Sequence, residues 1–223
     1  MPQFDRLAVY NTMLSNGLVP LFYNDDPEIG KDVVSAVHDA GGSFLEFTVR
    51  GSKALPVFDQ LVSHCESQSI PVILGVGSVV DESTASLYLA HGANFIVSPV
   101  LVPGIARMCN RRKVAYFPGA GSLNEISTAE ELGAEIVKIF PANLMGGPAF
   151  IKTVKAPMPW VRLMPTGGVD STAENVSEWI RAGAACLGMG SKLIKKEYLE
   201  SKNYSAIGET VRNVLHWIQQ ARK

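Results

Sequence analysis

Lys138 stands inside the apolar segment EIVKIFPA, which is typical of a short buried strand. Side chains alternate along a strand, so Lys138 shares a face with Ile136 and Phe140, and we expect its amine in the interior. In an apolar site near another cation such as Arg50 the charged form is disfavoured, which frees the neutral amine as a nucleophile. The alternative is a lysine at a strand end that extends to solvent.

The segment FLEFTVR carries further charges in a strand pattern. Its apolar face, with Leu45 and Phe47, must meet the helices, which sends Glu46, Thr48 and Arg50 toward the interior. Burying charges costs several kcal/mol unless they are paired. We therefore predict a functional carboxylate and guanidinium here, with a purely structural Glu46–Arg50 ion pair as the alternative.

Two glycine-rich turns follow the last two predicted strands, in PTGGVD and GMGS. Turns at these places in many barrels hold a phosphate with their backbone N–H groups. We predict such a cradle from these two turns, each followed by Ser171-Thr172 or Ser191 at a helix start, with ordinary tight turns as the alternative.

Two other strand ends carry polar or rigid residues. In GVGS the Ser78 hydroxyl either binds a substrate oxygen or caps the helix that begins near Asp81, and the sequence leaves both interpretations open. Pro99 closes the next strand, where a rigid turn explains it without any function.

The elements that position these residues repeat along the chain. Gly41, Gly92, Gly133 and Gly183 each follow a helical pattern and precede an apolar run, as glycine does at helix ends. With the strands between them the chain shows eight strand–helix units. We predict an α/β fold, a (β/α)8 TIM barrel formed by residues 1–223 as one domain, with flanking helices in 3–16 and 203–223. An open doubly wound sheet is the alternative.

Composition excludes several classes of protein. The chain has 20 Lys and Arg against 21 Asp and Glu, a formal net charge of −1, which gives no field for nucleic acid or an anionic bilayer. No apolar run is long enough for a membrane helix, and the first residues lack a signal-peptide pattern. The three cysteines and four histidines are scattered, so we predict no disulfide framework, no metal site and a cytoplasmic location.

The motifs together resemble a known family. LEFTVR, GVGSV, FIVSPV, YFPGAGSLNE, VKIFPA, MPTGGV and GMGS, in this order, are similar to those of 2-keto-3-deoxy-6-phosphogluconate aldolase, a bacterial enzyme often bifunctional with 4-hydroxy-2-oxoglutarate aldolase. The resemblance implies a class I aldolase that forms pyruvate and glyceraldehyde 3-phosphate through a lysine Schiff base, without a cofactor. It also implies a homotrimer.

By the same resemblance, Lys138 forms the imine, Glu46 relays protons and Arg50 holds the C1 carboxylate. The family would also use other positions for binding, namely Ser78, Pro99, Phe140 and Thr166 for the substrate and Gly167, Gly168, Gly190 and Ser191 for its phosphate.

The chain departs from the family at Ser78, Val100 and Asn143, where threonine, glycine and an acidic residue are common. Substrate preference therefore stays open between this acid, its galactonate epimer and 4-hydroxy-2-oxoglutarate. A phosphate-binding isomerase of the same fold is a further alternative, although it would not need an inward Lys138.

Overall fold

The computed structural model describes residues 2–223 as alternating strands and helices. The strands are β1 Leu18–Phe22, β2 Phe44–Thr48, β3 Ile73–Gly77, β4 Phe95–Val97, β5 Ala115–Phe117, β6 Gly119–Ala120, β7 Val137–Ile139, β8 Leu163–Pro165 and β9 Leu187–Met189. The helices are α1 Arg6–Asn16, α2 Pro27–Asp39, α3 Ala54–Ser67, α4 Glu82–Ala90, α5 Pro103–Arg112, α6 Leu123–Glu131, α7 Pro148–Lys155, α8 Ala173–Arg181, α9 Lys196–Glu200 and α10 Tyr204–Ala221.

All strand pairs are parallel, and the strands form two sheets. Six strands pair in the order β5-β4-β3-β2-β1-β9, and three pair in the order β6-β7-β8. A single bridge between Thr166 and Gly188 lies between the end of β8 and β9. Because β9 pairs with β1 and the strand order never reverses, the doubly wound alternative is wrong.

The fifth predicted strand, KVAYFPG, is divided into β5 and β6 at Pro118. Proline has no backbone N–H and cannot donate to a sheet ladder. The Pro118 carbonyl still accepts a hydrogen bond from the Lys138 N–H at 2.8 Å. The structure thus shows an α/β fold with a parallel sheet curled into a half-barrel, and closure into the predicted (β/α)8 barrel stays a prediction.

The core has two parts, as strand alternation requires. Leu45, Phe47, Val137 and Ile139 pack in the larger cluster, to which the helices also contribute. The opposite faces of the strands supply a second cluster, which contains Phe44, Phe95, Phe117, Ile136 and Met164 together with Val9, Tyr10 and Met13 of α1. Helix α1 therefore packs against the inward faces of the strands.

The predicted flanking helices and glycine stops are confirmed. Helices α1 and α10 fall within 3–16 and 203–223, and α10 packs against α2 and α8. Gly41, Gly92, Gly133 and Gly183 have φ of +88°, +97°, +84° and +102°, a conformation that glycine adopts cheaply. Among residues 2–223, no helix combines the length and apolarity needed to cross a membrane.

Candidate active site

Glu46 lies on β2 with its carboxylate in the protein interior. Only 1% of the residue is exposed. Its side chain occupies the space beside Gly77 of the neighbouring strand β3, where a Cβ atom would overlap the Oε1 atom. The predicted inward orientation of Glu46 is confirmed, and a bare backbone at Gly77 makes room for it.

The environment of Glu46 favours its neutral form. Burial raises the pKa of this carboxyl, and the positive charges of Lys138 and Arg50 act against the rise. The Oε2 atom is buried and has no hydrogen-bond partner within residues 2–223. A buried carboxyl with a raised pKa and an uncommitted oxygen is suited to donate a proton to a bound molecule.

Lys138 lies on β7, opposite Gly119 of β6 and Met164 of β8. It is 6% exposed, so the alternative of a lysine extending to solvent is wrong. Its Nζ atom lies 5.2 Å from the centroid of the Phe140 ring. Within the described chain, no carboxylate oxygen comes within 4.0 Å of this amine. The amine is buried without an ion-pair partner.

Arg50 stands just beyond the end of β2 and is exposed. It lines the open cavity described below. In the part of the chain that the structure describes, no ion pair joins it to Glu46 within 4.0 Å, so the structural ion pair considered as an alternative is not formed. The guanidinium is therefore available to an anionic ligand.

A cavity of about 660 Å³ opens at the carboxyl ends of the strands. Its walls include the predicted residues Arg50, Phe140, Thr166, Gly167, Gly168, Gly190 and Ser191. Its lining does not include Glu46, Lys138, Ser78 or Pro99. Phe140, which does line it, has its ring centroid 5.2 Å from the Lys138 Nζ atom. Strand ends are where barrels carry their chemistry.

Thr166 follows β8 and is 5% exposed. Its Oγ1 atom is buried with no hydrogen-bond partner among the described residues. A Cβ atom at Gly188, across the bridge, would overlap this hydroxyl. The hydroxyl is thus held at the cavity wall with an unused hydrogen-bonding capacity.

The two glycine-rich turns meet at one side of the cavity. Gly167 and Gly168 have φ of +86° and +77°. The backbone N–H groups of Gly167, Gly168, Gly190 and Ser191 donate no hydrogen bond within residues 2–223. Unsatisfied N–H groups gathered at a turn are the donors that a phosphate needs. The structure brings together all four residues that the sequence predicts.

Ser78 is half-buried and has a φ of +64°. The N-cap of α4 is Asp81, whose side chain accepts a hydrogen bond from the Thr84 N–H at 2.8 Å. Ser78 therefore does not cap this helix. Pro99 is half-buried, with its carbonyl packed where a Cβ of Gly119 would stand.

The site includes residues that sequence reasoning missed. Tyr23, Asn24, Lys192, Lys196 and Glu200 also line the cavity. Lys192 directly follows Gly190-Ser191, so the GMGS motif could have predicted its place at the cavity. The other four residues lie outside any motif. They line the cavity because α9 and the loop after β1 pack there, which the sequence does not show.

Asn143, one of the departures from the family pattern, packs against the first turn. Its N–H donates to the Gly167 carbonyl at 3.1 Å, and a Cβ at Gly168 would overlap its side chain. The described residues contain no group of three His, Cys, Asp or Glu side chains placed to hold a metal ion.

A parallel α/β fold with a buried lysine, a buried glutamate and a strand-end cavity fits the class of pyruvate-dependent aldolases, which are lyases. The chain belongs to the KDPG and KHG aldolase family, whose model matches residues 9–210.

Relatives agree with this family, and a solved structure agrees with the fold. The chain is 27% identical to the 2-dehydro-3-deoxy-phosphogluconate aldolase of Haemophilus influenzae, over 91% of this chain and 92% of that one. It is 29% identical to the 2-dehydro-3-deoxy-6-phosphogalactonate aldolase of Escherichia coli, over 80% and 84%. The fold matches that of a KDPG aldolase from Legionella pneumophila with a TM-score of 0.83 at 24% identity, covering 95% and 98% of the two chains.

Proposed function

We propose that this protein is a class I aldolase that cleaves 2-keto-3-deoxy-6-phosphogluconate into pyruvate and glyceraldehyde 3-phosphate, and 4-hydroxy-2-oxoglutarate into pyruvate and glyoxylate. One observation carries the proposal: the amine of Lys138 is buried without a carboxylate partner, and the nearby Glu46 carboxyl has a raised pKa. An amine in such a place is a nucleophile rather than half of an ion pair.

The reaction begins with attack of the neutral Lys138 amine on the C2 carbonyl. Glu46 moves the amine proton to the new hydroxyl of the carbinolamine. It then donates its own proton to that hydroxyl, which leaves as water and gives a protonated imine and a Glu46 carboxylate. The raised pKa of Glu46 suits it to this donation.

Cleavage uses the imine as an electron acceptor. The Glu46 carboxylate takes the C4 hydroxyl proton, the C3–C4 bond breaks, and its electron pair moves into the enamine of pyruvate while the aldehyde leaves. Glu46 returns the proton to C3. Water then adds to the protonated imine, the Glu46 carboxylate takes up the released proton, and pyruvate and the free amine are formed. Lys138 supplies the electrophile for this chemistry, as Schiff-base enzymes do.

Substrate recognition would follow the family positions. Arg50 binds the C1 carboxylate, which its planar fork fits. Ser78, Pro99 and Phe140 surround the pyruvate part, and Thr166 contacts the part beyond the cleaved bond. The N–H groups of Gly167, Gly168, Gly190 and Ser191 take the phosphate. Their unsatisfied state supports this role.

A second candidate substrate is the galactonate epimer, since the 2-dehydro-3-deoxy-6-phosphogalactonate aldolase of Escherichia coli is as similar to this chain as the other relatives are. The two acids differ at one stereocentre, beyond the pyruvate part, so Lys138 and Glu46 serve both. Steady-state cleavage of both epimers, with pyruvate release as the readout, separates them. An isomerase would release no pyruvate from either.

The proposal extends to the assembly of the protein. We propose that the curled sheet closes into one (β/α)8 barrel and that residues 1–223 form a single domain. The exposed apolar residues Val80, Val100 and Leu123 follow three consecutive strand positions at the same rim, which supports a homotrimer that covers them. Analytical ultracentrifugation tests this, since a monomer would contradict it. Three free cysteines and a phosphorylated substrate suit a cytoplasmic enzyme.

A further inference from the structure

Lys192 is a cation at the edge of the two glycine-rich turns. It lines the cavity directly after Gly190-Ser191. Its Nζ atom lies 3.2 Å from the Oδ1 atom of Asp170, and the two side chains are 64% and 45% exposed. Asp170 comes just after the turn that contains Gly167 and Gly168, so this ion pair spans the two turns.

The two turns are joined by a second contact. The Ser171 hydroxyl donates a hydrogen bond to the Lys192 carbonyl at 2.8 Å. The backbone around Lys192 is therefore held in place independently of its ammonium group. With this contact in place, the ammonium group can change partners while the two turns stay joined.

Position next to the two turns distinguishes Lys192 among the charges around the cavity. Three basic side chains line it, those of Arg50, Lys192 and Lys196, and one acidic side chain, that of Glu200. Lys196 is paired with Glu200 at 3.4 Å inside the same lining. The partner of Lys192, Asp170, stands outside the lining, and residues 166–172 and 190–192 contain no other basic side chain.

We propose that Lys192 is a substrate-binding residue that selects for the phosphorylated end of the substrate, and that Asp170 competes with the phosphate for its ammonium group. This rests on the proposed function. An exposed ion pair of this kind is weak. A phosphate carries more charge and more acceptor oxygens than a carboxylate, so it draws Lys192 from Asp170 when it enters the N–H cradle.

The test compares K192A, K192R and D170N with the parent protein. The first readout is the Kd for inorganic phosphate from calorimetry, and the second is the ratio of kcat/KM for 2-keto-3-deoxy-6-phosphogluconate to that for 4-hydroxy-2-oxoglutarate. K192A should raise the Kd about tenfold and lower the ratio about tenfold through KM. K192R should restore most of the loss, and D170N should lower the Kd about threefold.

A matched control is available at the other end of the sheet. Arg162 and Glu135 form an exposed pair, also at 3.2 Å, and precede β8 and β7. R162A should leave both readouts unchanged.

Two results would overturn the inference. One is an unchanged phosphate Kd in K192A. The other is an equal loss in K192A and D170N for both substrates, which is the signature of a pair that only holds the turns together. Cleavage of neither substrate by the parent protein, with phosphate binding still dependent on Lys192, would instead refute the proposed function and leave the anion site standing.

Discussion

The carboxylate of Glu46 occupies the space that a Cβ atom of Gly77 would take on the adjacent strand. Thr48, two residues after Glu46, is in register with Gly77 across the β2–β3 ladder. The strand therefore has no side chain where the carboxylate needs room. The bare backbone of Gly77 leaves the space in which the Glu46 carboxylate lies inside the sheet.

Substitution of Gly77 should damage the site more than the fold. In G77A the new methyl group displaces the Glu46 carboxylate, and we expect kcat/KM to fall about a hundredfold, because catalytic groups tolerate little misplacement. Overpacking should cost about 1–3 kcal/mol of stability by urea unfolding. The control is G208A on α10, where the new methyl group would stand 3.3 Å from its nearest neighbour, the Ala36 carbonyl oxygen. Full activity in G77A would contradict the role of this glycine.

Replacement of Glu46 by glutamine should separate activity from stability. E46Q cannot relay protons, and kcat should fall by a factor of about 100 to 10,000. The pKa of Glu46 is raised in the folded protein, so its contribution to stability is present below the ordinary glutamate pKa and is lost as pH rises through the raised one.

E46Q does not titrate at this position. Its free energy of unfolding, relative to the parent protein, should therefore increase between about pH 4 and about pH 8. Denaturant unfolding at both pH values measures this difference, because all other groups are common to the two proteins. A difference that shrinks as pH rises would show that the pKa is lowered instead.

Substitution of Asp81 should lower stability, whereas substitution of Ser78 should lower activity. The Thr84 N–H holds the pKa of the Asp81 carboxyl below its ordinary value, as expected for an N-cap. D81A should cost about 1 kcal/mol of stability at neutral pH. S78A should change stability less and should lower kcat/KM, if its hydroxyl contacts the substrate. A stability loss in S78A equal to that of D81A would mean that Ser78 supports the helix after all.

Binding of a carboxylate at Arg50 should depend on the planar shape of the guanidinium as well as on its charge. R50K keeps the positive charge but loses the planar fork that binds a carboxylate through two hydrogen bonds. We expect the KM for pyruvate in the condensation direction to rise about tenfold in R50K and further in R50A. Equal KM values in R50K and the parent would show that Arg50 acts only as a charge.

Much of this site follows from strand alternation. The pattern in FLEFTVR predicts that Glu46 points away from the helices, and the pattern in EIVKIFPA predicts the same for Lys138, because a period of two leaves only one face for each residue. Both residues are buried. The sequence also predicts the glycines that follow the helices, because few other residues adopt a positive φ at a helix end.

Strand alternation does not predict which distant segments come into contact. The clearance that Gly77 gives to Glu46 depends on the register of two strands, which the sequence does not show. The Asp170–Lys192 pair has the same origin, since it depends on which neighbour the fold supplies. Local patterns specify which face a residue occupies, whereas its partners depend on tertiary packing.

The most direct test of the account is intact mass after incubation with pyruvate and borohydride, followed by peptide mapping. We expect one reduced pyruvate adduct per chain, located on Lys138, and none in K138R, which keeps a long basic side chain but cannot form the imine. A folded parent protein that gains no mass, or that gains it on another lysine, would contradict the assignment of Lys138 as the Schiff-base residue.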